Sequence, residues 1–269
     1  MNQSRRRQPK KRQMSGQVAI SGVHPVRVVL QRGRVTEVWV RKGANEHRLK
    51  EIILIACSSG VPVIDVTSED FDDAVSGDTN HQSVIAFAKP REMEPENALP
   101  VLLDGIESPV ILVLDGVTDP HNFGACLRSA EAFGVNCVVV PKDHSAPLNQ
   151  AARKTSSGAS ELIPVVRVTN LARCLRTLQQ DGFWIIGAAG ESPVSMREAL
   201  NQGPLALVMG SEGSGLRRLT REVCDALVSI PMPGYIESLN VSVATGVLLY
   251  DLQNTRGVLQ LSRIYQERV

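Results

Sequence analysis

From Pro109 to the C-terminus the chain repeats one alternation, a short apolar run followed by a stretch with helical spacing. The runs are ILVL, CVVVP, LIPVVRV, WIIGAAG, ALVMG and VSIPMPG. Helical periodicity lies in the segment through Leu127 and Phe133, over residues 171–178, around 219–226, and from 238 towards 265. Strands without a polar face must be covered on both sides, and strands joined through helices run parallel. The expected fold class is therefore α/β, a mostly parallel sheet between two helix layers. Open sheets of this kind take ligands in the crevice at the carboxyl ends of their strands. The loops that follow the strands are thus where chemistry is expected.

A smaller unit precedes this one. Residues 18–20, 35–40, 61–66 and 84–88 read as strands, and 24–30 and 48–57 carry helical spacing. The stretch KPREMEPENALP, residues 89–100, combines three prolines with alternating charge and is expected to be irregular. The expected division is a basic disordered tail over 1–15, a small domain over 16–90, a linker over 91–107 and the large domain over 108–269.

Charge speaks only through its distribution. Net charge is +1, yet no acidic residue precedes Glu37, and that stretch holds nine Lys or Arg, six of them between Arg5 and Arg12. Two readings stay open: a solvated tail, or an arm that gains affinity for a polyanion by releasing its counterions. No apolar h-region follows the tail, and no run reaches membrane-spanning length, so neither a signal peptide nor a membrane partner is expected. The cysteines, Cys57, Cys126, Cys137, Cys174 and Cys224, lack CxxC spacing and have mostly apolar neighbours. They read as reduced core residues of a cytoplasmic protein.

Three post-strand loops stand out: DGVTDPHNFGA over 115–125, MGSEGSGL over 209–216 and IPMPGYIESLN over 230–240. The second is glycine-rich, and glycine lets backbone approach a ligand or another backbone closely. It is neither GxGxxG nor a loop ending in GK[ST], and no ribose-binding acid follows, so a nucleotide-dependent oxidoreductase is disfavoured. Asn122 has the chemistry of a helix cap, accepting from a free amide of the first turn, and Ser238 and Asn240 could likewise supply the cap and first turn of the final helix. His121 reads as a turn histidine making one hydrogen bond. None of the five histidines has ligand spacing, and no metal is expected.

Taken together, DPHNFGACLRSAEAFGV, LVMGSEGSGL and IPMPGYIESLNVSVATGVLLY resemble the three motifs of the SpoU/TrmH branch of the SPOUT methyltransferases, in family order and spacing, over residues 112–249. The first half, from SGVHPVRVVL to HQSVIAFAKP, is similar to the family's small ribosomal-protein-like RNA-binding domain. The resemblance points to bacterial members that methylate the 2′-oxygen of a guanosine ribose in 23S ribosomal RNA with S-adenosylmethionine. It implies a C-terminal trefoil knot, which ordinary connection rules would not suggest, and a homodimer with the large-subunit ribosomal RNA as partner. Two departures lie outside the motifs: Ser83 follows His81 and Gln82 where relatives often have glycine, and the basic tail is long.

The resemblance also assigns roles. Arg128 and Asn122 become catalytic, with Asn122 positioning Arg128 or the ribose. Glu212 becomes a carboxylate that anchors Asn122 or the substrate, and Asn240 joins them. Met209, Gly210, Ile230, Ser238 and Leu239 border the cofactor, main-chain groups at Gly210, Ile230 and Leu239 holding the adenosine end. A guanidinium stays protonated up to about pH 12, so Arg128 is expected to orient the hydroxyl and a neighbouring phosphate as a fixed cation rather than to remove a proton. Two other readings remain within reach of the sequence, a transfer-RNA ribose methyltransferase and an RNA-binding protein without catalysis. The intact Asn122, Arg128 and Glu212 speak against the second.

Overall fold

The computed structural model describes residues 16–74, 82–201, 203–236 and 238–259. The chain divides between Pro90 and Arg91 into two compact units. Among the described residues no helix is long and apolar enough to cross a membrane. The basic tail, His81 and the expected stretch of final helix beyond residue 259 lie outside the described residues.

The first unit runs β1(Val18–Ser21), α1(Val23–Gln31), β2(Val35–Arg41), α2(Glu46–Ser58), β3(Val63–Val66), α3(Ser68–Ala74) and β4(Val84–Ala88). Its sheet has the order β1-β4-β2-β3, with β4 antiparallel to both neighbours and β2 parallel to β3. Ile20, Val26, Val29, Leu49, Ile52 and Ile85 fill its interior. The helix α3 lies where no element was expected, in the stretch SEDFDDA. Thr67 and Asp70 hydrogen-bond reciprocally across its first turn, and the wholly buried Phe71 anchors it.

The second unit runs β5(Glu94–Pro95), α4(Leu99–Leu103), β6(Val110–Asp115), α5(Pro120–Ala132), β7(Cys137–Pro141), α6(Gln150–Thr155), α7(Ala159–Leu162), β8(Val165–Val168), α8(Leu171–Gln180), β9(Trp184–Ala188), α9(Met196–Ala199), β10(Leu205–Gly210), α10(Arg218–Val223), β11(Ala226–Val228) and α11(Val241–Thr255). Its seven strands are parallel throughout, in the order β11-β9-β10-β6-β7-β8-β5. Successive side chains of a strand point to opposite faces. Leu112 and Leu114 accordingly join a cluster containing Phe123, Leu127, Leu249 and Leu252, whereas Ile111 and Val113 join one containing Leu175, Leu178, Ile185 and Val223. Thus α5 and α11 cover one face and α8 and α10 the other, as the wholly apolar strands required.

Three expectations are corrected. Residues expected as an irregular linker form β5, a 3-10 turn over Glu96–Ala98 and α4, all within the second unit. Pro95 is tolerated because β5 is an edge strand, and Pro100 because it sits in the first turn of α4. Glu96 accepts from Arg173 at 3.0 Å, and Leu99 is buried. The helix expected around 219–226 ends at Val223, since β11 takes Ala226–Val228 into the sheet beside β9. The final helix begins at Val241 rather than 238, because Asn240 caps it by accepting from Ser242 N.

Candidate functional site

The sheet register sets the site. Gly210, the last residue of β10, lies abreast of Asp115, the last residue of β6, so the loops after the two strands leave the sheet side by side. Asp115 is 1 % exposed and ties the loops together, accepting from Arg217 N at 3.0 Å and from Arg217 Nε at 2.5 Å. The segment after Gly210 folds back on itself: Ser211 N donates to Gly215 O at 3.1 Å and Gly215 N to Ser211 O at 3.0 Å. Gly210 permits this, for a Cβ there would lie 2.5 Å from Leu216 N and closer still to the Gly215 carbonyl. Gly213 and Gly215 adopt φ of 82° and 63°, the left-handed region that only glycine enters freely. Glu212 is carried at the tip of this reversal.

Glu212 meets two helix mouths. Its Oε1 accepts from Asn122 Nδ2 at 3.2 Å, from Asn240 Nδ2 at 2.5 Å and from Val241 N at 3.2 Å. Asn240 Nδ2 also donates to Asn122 Oδ1 at 2.9 Å. Asn122 is therefore not the cap of α5. Asp119 accepts from His121 N at 3.0 Å and takes that position, with Pro120 next in the chain. Asn122 is the third helical residue, and its amide is free to turn towards Glu212. A carboxylate beside the N-terminus of the fifteen-residue α11 also sits favourably in the field of that helix.

The two helices bring their asparagines together by packing on one another. Cys126 Sγ of α5 lies 3.5 Å from Thr245 Oγ1 of α11, and a Cβ at Gly246 would sit an ordinary 3.5 Å from Ser129 Oγ. Burial pushes the Cys126 thiol up to about 11, so it packs as a neutral group and supplies no nucleophile.

Arg128 faces elsewhere. Six residues beyond Asn122, it is displaced by about 120° around α5, and its Nη1 donates to Ser157 Oγ at 3.1 Å. The expected positioning of Arg128 by Asn122 is not what the structure holds. The His121 ring is hydrogen-bonded to Thr155, Nδ1 to Oγ1 at 3.2 Å. The structure thus brings Asn122, Glu212 and Asn240 together by hydrogen bonds, and holds Arg128 by a separate grip on the same helix. Sequence reasoning passed over Ser157, Asp115 and Arg217. An aspartate closing an apolar strand was a readable signal for Asp115; a Ser-Gly turn was a weak one for Ser157.

The residues expected around the cofactor lie at the carboxyl ends of β10 and β11. Met209 and Gly210 are buried, Ile230 is half-buried, and Ser238 and Leu239 are exposed. Main-chain groups of a segment that also carries apolar side chains suit an adenosine recognised through backbone donors and acceptors. Glu212, the carboxylate of the cluster, already accepts three N–H groups through one oxygen, which suits an anchor better than a base.

Both units are similar to known proteins. A family model described as the SpoU rRNA Methylase family matches residues 109–250, and one described as RNA 2'-O ribose methyltransferase substrate binding matches residues 19–94. The 23S rRNA (guanosine-2'-O-)-methyltransferase RlmB of Yersinia pestis is 50% identical over 241 residues, 89% of this chain and 98% of the relative. Its namesake from Escherichia coli K12 is 50% identical over 239 residues, 88% of this chain and 98% of the relative. The SpoU methyltransferase AviRb of Streptomyces viridochromogenes, solved with AdoMet, shares the fold with a TM-score of 0.66 at 21% identity, over 93% of this chain and 94% of that one. By model and by identity, the chain belongs to the SpoU rRNA methylase family.

Proposed function

We propose that this chain transfers a methyl group from S-adenosylmethionine to the 2′-oxygen of a guanosine ribose in 23S ribosomal RNA. The observation that carries the reading is the hydrogen-bonded set Asn122–Glu212–Asn240, built from three distant segments at the carboxyl ends of β6, β10 and β11. Relatives at 50% identity over nearly their whole length bear the name of that reaction. The cofactor supplies an electrophilic methyl on a cationic sulfur that leaves as a neutral thioether. What the chain must add is alignment of the attacking oxygen, with little covalent chemistry of its own. Main-chain groups at Gly210, Ile230 and Leu239, with Met209 and Ser238 beside them, hold the cofactor. Glu212 locks Asn122 and Asn240 so that their amides present fixed dipoles to the ribose. Arg128 contributes a permanent positive charge that stabilises developing alkoxide and a neighbouring phosphate.

The first unit, matched by the substrate-binding model, is the RNA-selecting part of the same enzyme. We further read the active species as a homodimer in the cytoplasm. Val243, Val247 and Tyr250 form an exposed apolar stripe on one face of α11, which a second copy would cover. The position of β10 between β9 and β6 is compatible with the family's trefoil knot.

The test uses the full chain with labelled S-adenosylmethionine, a 23S transcript and a transfer-RNA transcript, followed by mapping of 2′-O-methyl sites. Labelling of one guanosine ribose in the 23S transcript is expected. Labelling of transfer RNA alone refutes the substrate, and binding of RNA without any transfer refutes the enzyme. Sedimentation tests the dimer, which Val247→Glu should dissociate.

A further inference from the structure

The turn between α6 and α7 is braced from behind. Glu161, 2 % exposed, is ion-paired with Arg153 and accepts from Arg91 N at 2.7 Å. Ser156 Oγ donates to Arg153 O at 2.8 Å, and Ser160 N donates to Ser156 Oγ at 3.2 Å. In front, α6 is seated directly on α5 at Gly124, where a Cβ would come within 2.9 Å of Thr155 Cβ and nearer still to the Ala152 carbonyl. Arg128 lies four residues beyond Gly124, hence on the same face of α5. The close approach that glycine allows therefore delivers the α6–α7 turn to Arg128 one helical turn later.

At the tip of that turn stands Ser157, with φ of 50° and Gly158 following at 92°. A serine in left-handed backbone is strained where glycine would not be. The residue is exposed, so core packing does not account for its side chain. Its hydroxyl accepts from Arg128 Nη1 at 3.1 Å.

We propose that Ser157 is a positioning residue for Arg128: its hydroxyl fixes the guanidinium before RNA arrives and leaves the remaining N–H donors for the 2′-oxygen and its neighbouring phosphate. The inference rests on the reading of Arg128 as the cation of the site. An arginine on the surface samples many rotamers, and one already held in place loses less freedom when the transition state forms. The strained backbone is tolerated because the frame of Glu161, Arg153 and Ser156 holds it.

Single-turnover methyl transfer to a 23S transcript would be measured for Ser157→Ala, Ser157→Gly, Arg128→Ala and the Arg128→Ala/Ser157→Ala double variant, with cofactor affinity and thermal unfolding beside it. Both serine variants are expected to slow transfer about tenfold, equivalent to about 1.36 kcal/mol in the barrier, with cofactor affinity unchanged and no loss of thermal stability in Ser157→Gly. In the Arg128→Ala background the serine change should cost less than about twofold, because its partner is already gone. Wild-type rates in Ser157→Gly show that only backbone shape mattered and overturn the proposal. So does a full tenfold loss in the Arg128→Ala background. Wild-type activity in Arg128→Ala overturns the role of Arg128 itself, whereas a slow Arg128→Ala beside unaffected serine variants removes only the positioning.

Discussion

Gly210→Ala is a single-methyl test of how the site is assembled. A Cβ at Gly210 would lie 2.5 Å from Leu216 N and closer to the Gly215 carbonyl. Carbon contacts are comfortable at about 3.5 Å, so the peptide at Gly215 must retreat by at least about 1 Å. That peptide cannot move alone, since Ser211 and Gly215 exchange two backbone hydrogen bonds and Arg217, two residues on, is held by Asp115. Overpacking against backbone costs about 1–3 kcal/mol, and the rigid neighbours favour the upper half of that range. For a unit of this size the melting temperature should fall by about 5–10 °C. Displacement of the reversal carries Glu212 away from Asn122 and Asn240, so transfer should fall at least about a hundredfold and cofactor binding should weaken with it. The close approach is thus between two segments of the protein, and a side chain at Gly210 acts on the ligand through the displaced loop. The measurements are calorimetric unfolding, titration with S-adenosylmethionine and single-turnover transfer. A variant that melts like the wild type and binds the cofactor normally would refute the packing argument outright.

Arg128→Ala should keep the fold and cofactor affinity while slowing transfer at least about a hundredfold, and Arg128→Lys should rescue poorly because an ammonium lacks the planar fork; single-turnover rates decide it. Deleting residues 1–13 removes Arg5, Arg6, Arg7, Lys10, Lys11 and Arg12. If these touch phosphates, the log–log salt slope of RNA binding falls by about 0.7–0.9 per lost contact, and an unchanged slope leaves only a solubilising tail. A thiol reagent at pH 8 should modify exposed Cys57 quickly in the native protein and spare Cys126, Cys137 and Cys174; rapid modification of all five would contradict their burial. Burial raises those three thiols from 9.0 to about 11, 12 and 12, so unfolded thiols ionise first. Their contribution to stability should be intact below pH 9 and decline as pH rises towards 11–12, which denaturant unfolding across alkaline pH can follow.

Most strands of the second unit were legible in the sequence because each is apolar on both faces, a pattern few other structures tolerate. Its helices α5 and α8 were legible for the complementary reason, one apolar stripe each. What escaped were mostly short elements. The helices α6, α7 and α9 are four to six residues long, too short for a period to emerge. Two of them are capped locally, α6 by Asn149 accepting from Ala152 N and α9 by the reciprocal Ser195–Glu198 pair, whereas α7 follows a left-handed Gly158. The segment carrying β5 and α4 was misread because prolines at an edge strand and in a first helical turn look like prolines in a linker. The candidate site residues stand together in the motifs, yet their partners were not legible there. A motif fixes which side chains occur, and the sheet register decides which of them meet.

The cap of α5 shows how that decision is made. Asp119 and Asn122 can both accept from a free amide, and nothing in local chemistry excludes Asn122 from the role. Pro120 resolves the competition. It has no N–H to leave unpaired and its φ is preset for the first helical position, so the residue before it becomes the cap. Asp119 then accepts from His121 N, and Asn122 enters the helix with its amide unspent. The parallel alignment of Gly210 with Asp115 delivers Glu212 to that amide, while the crossing of α11 over α5 delivers Asn240. Arg128 follows about 120° away on the same helix, facing the turn that Gly124 admits. One helix thus registers both halves of the site, the amide cluster on one side and the cation on another.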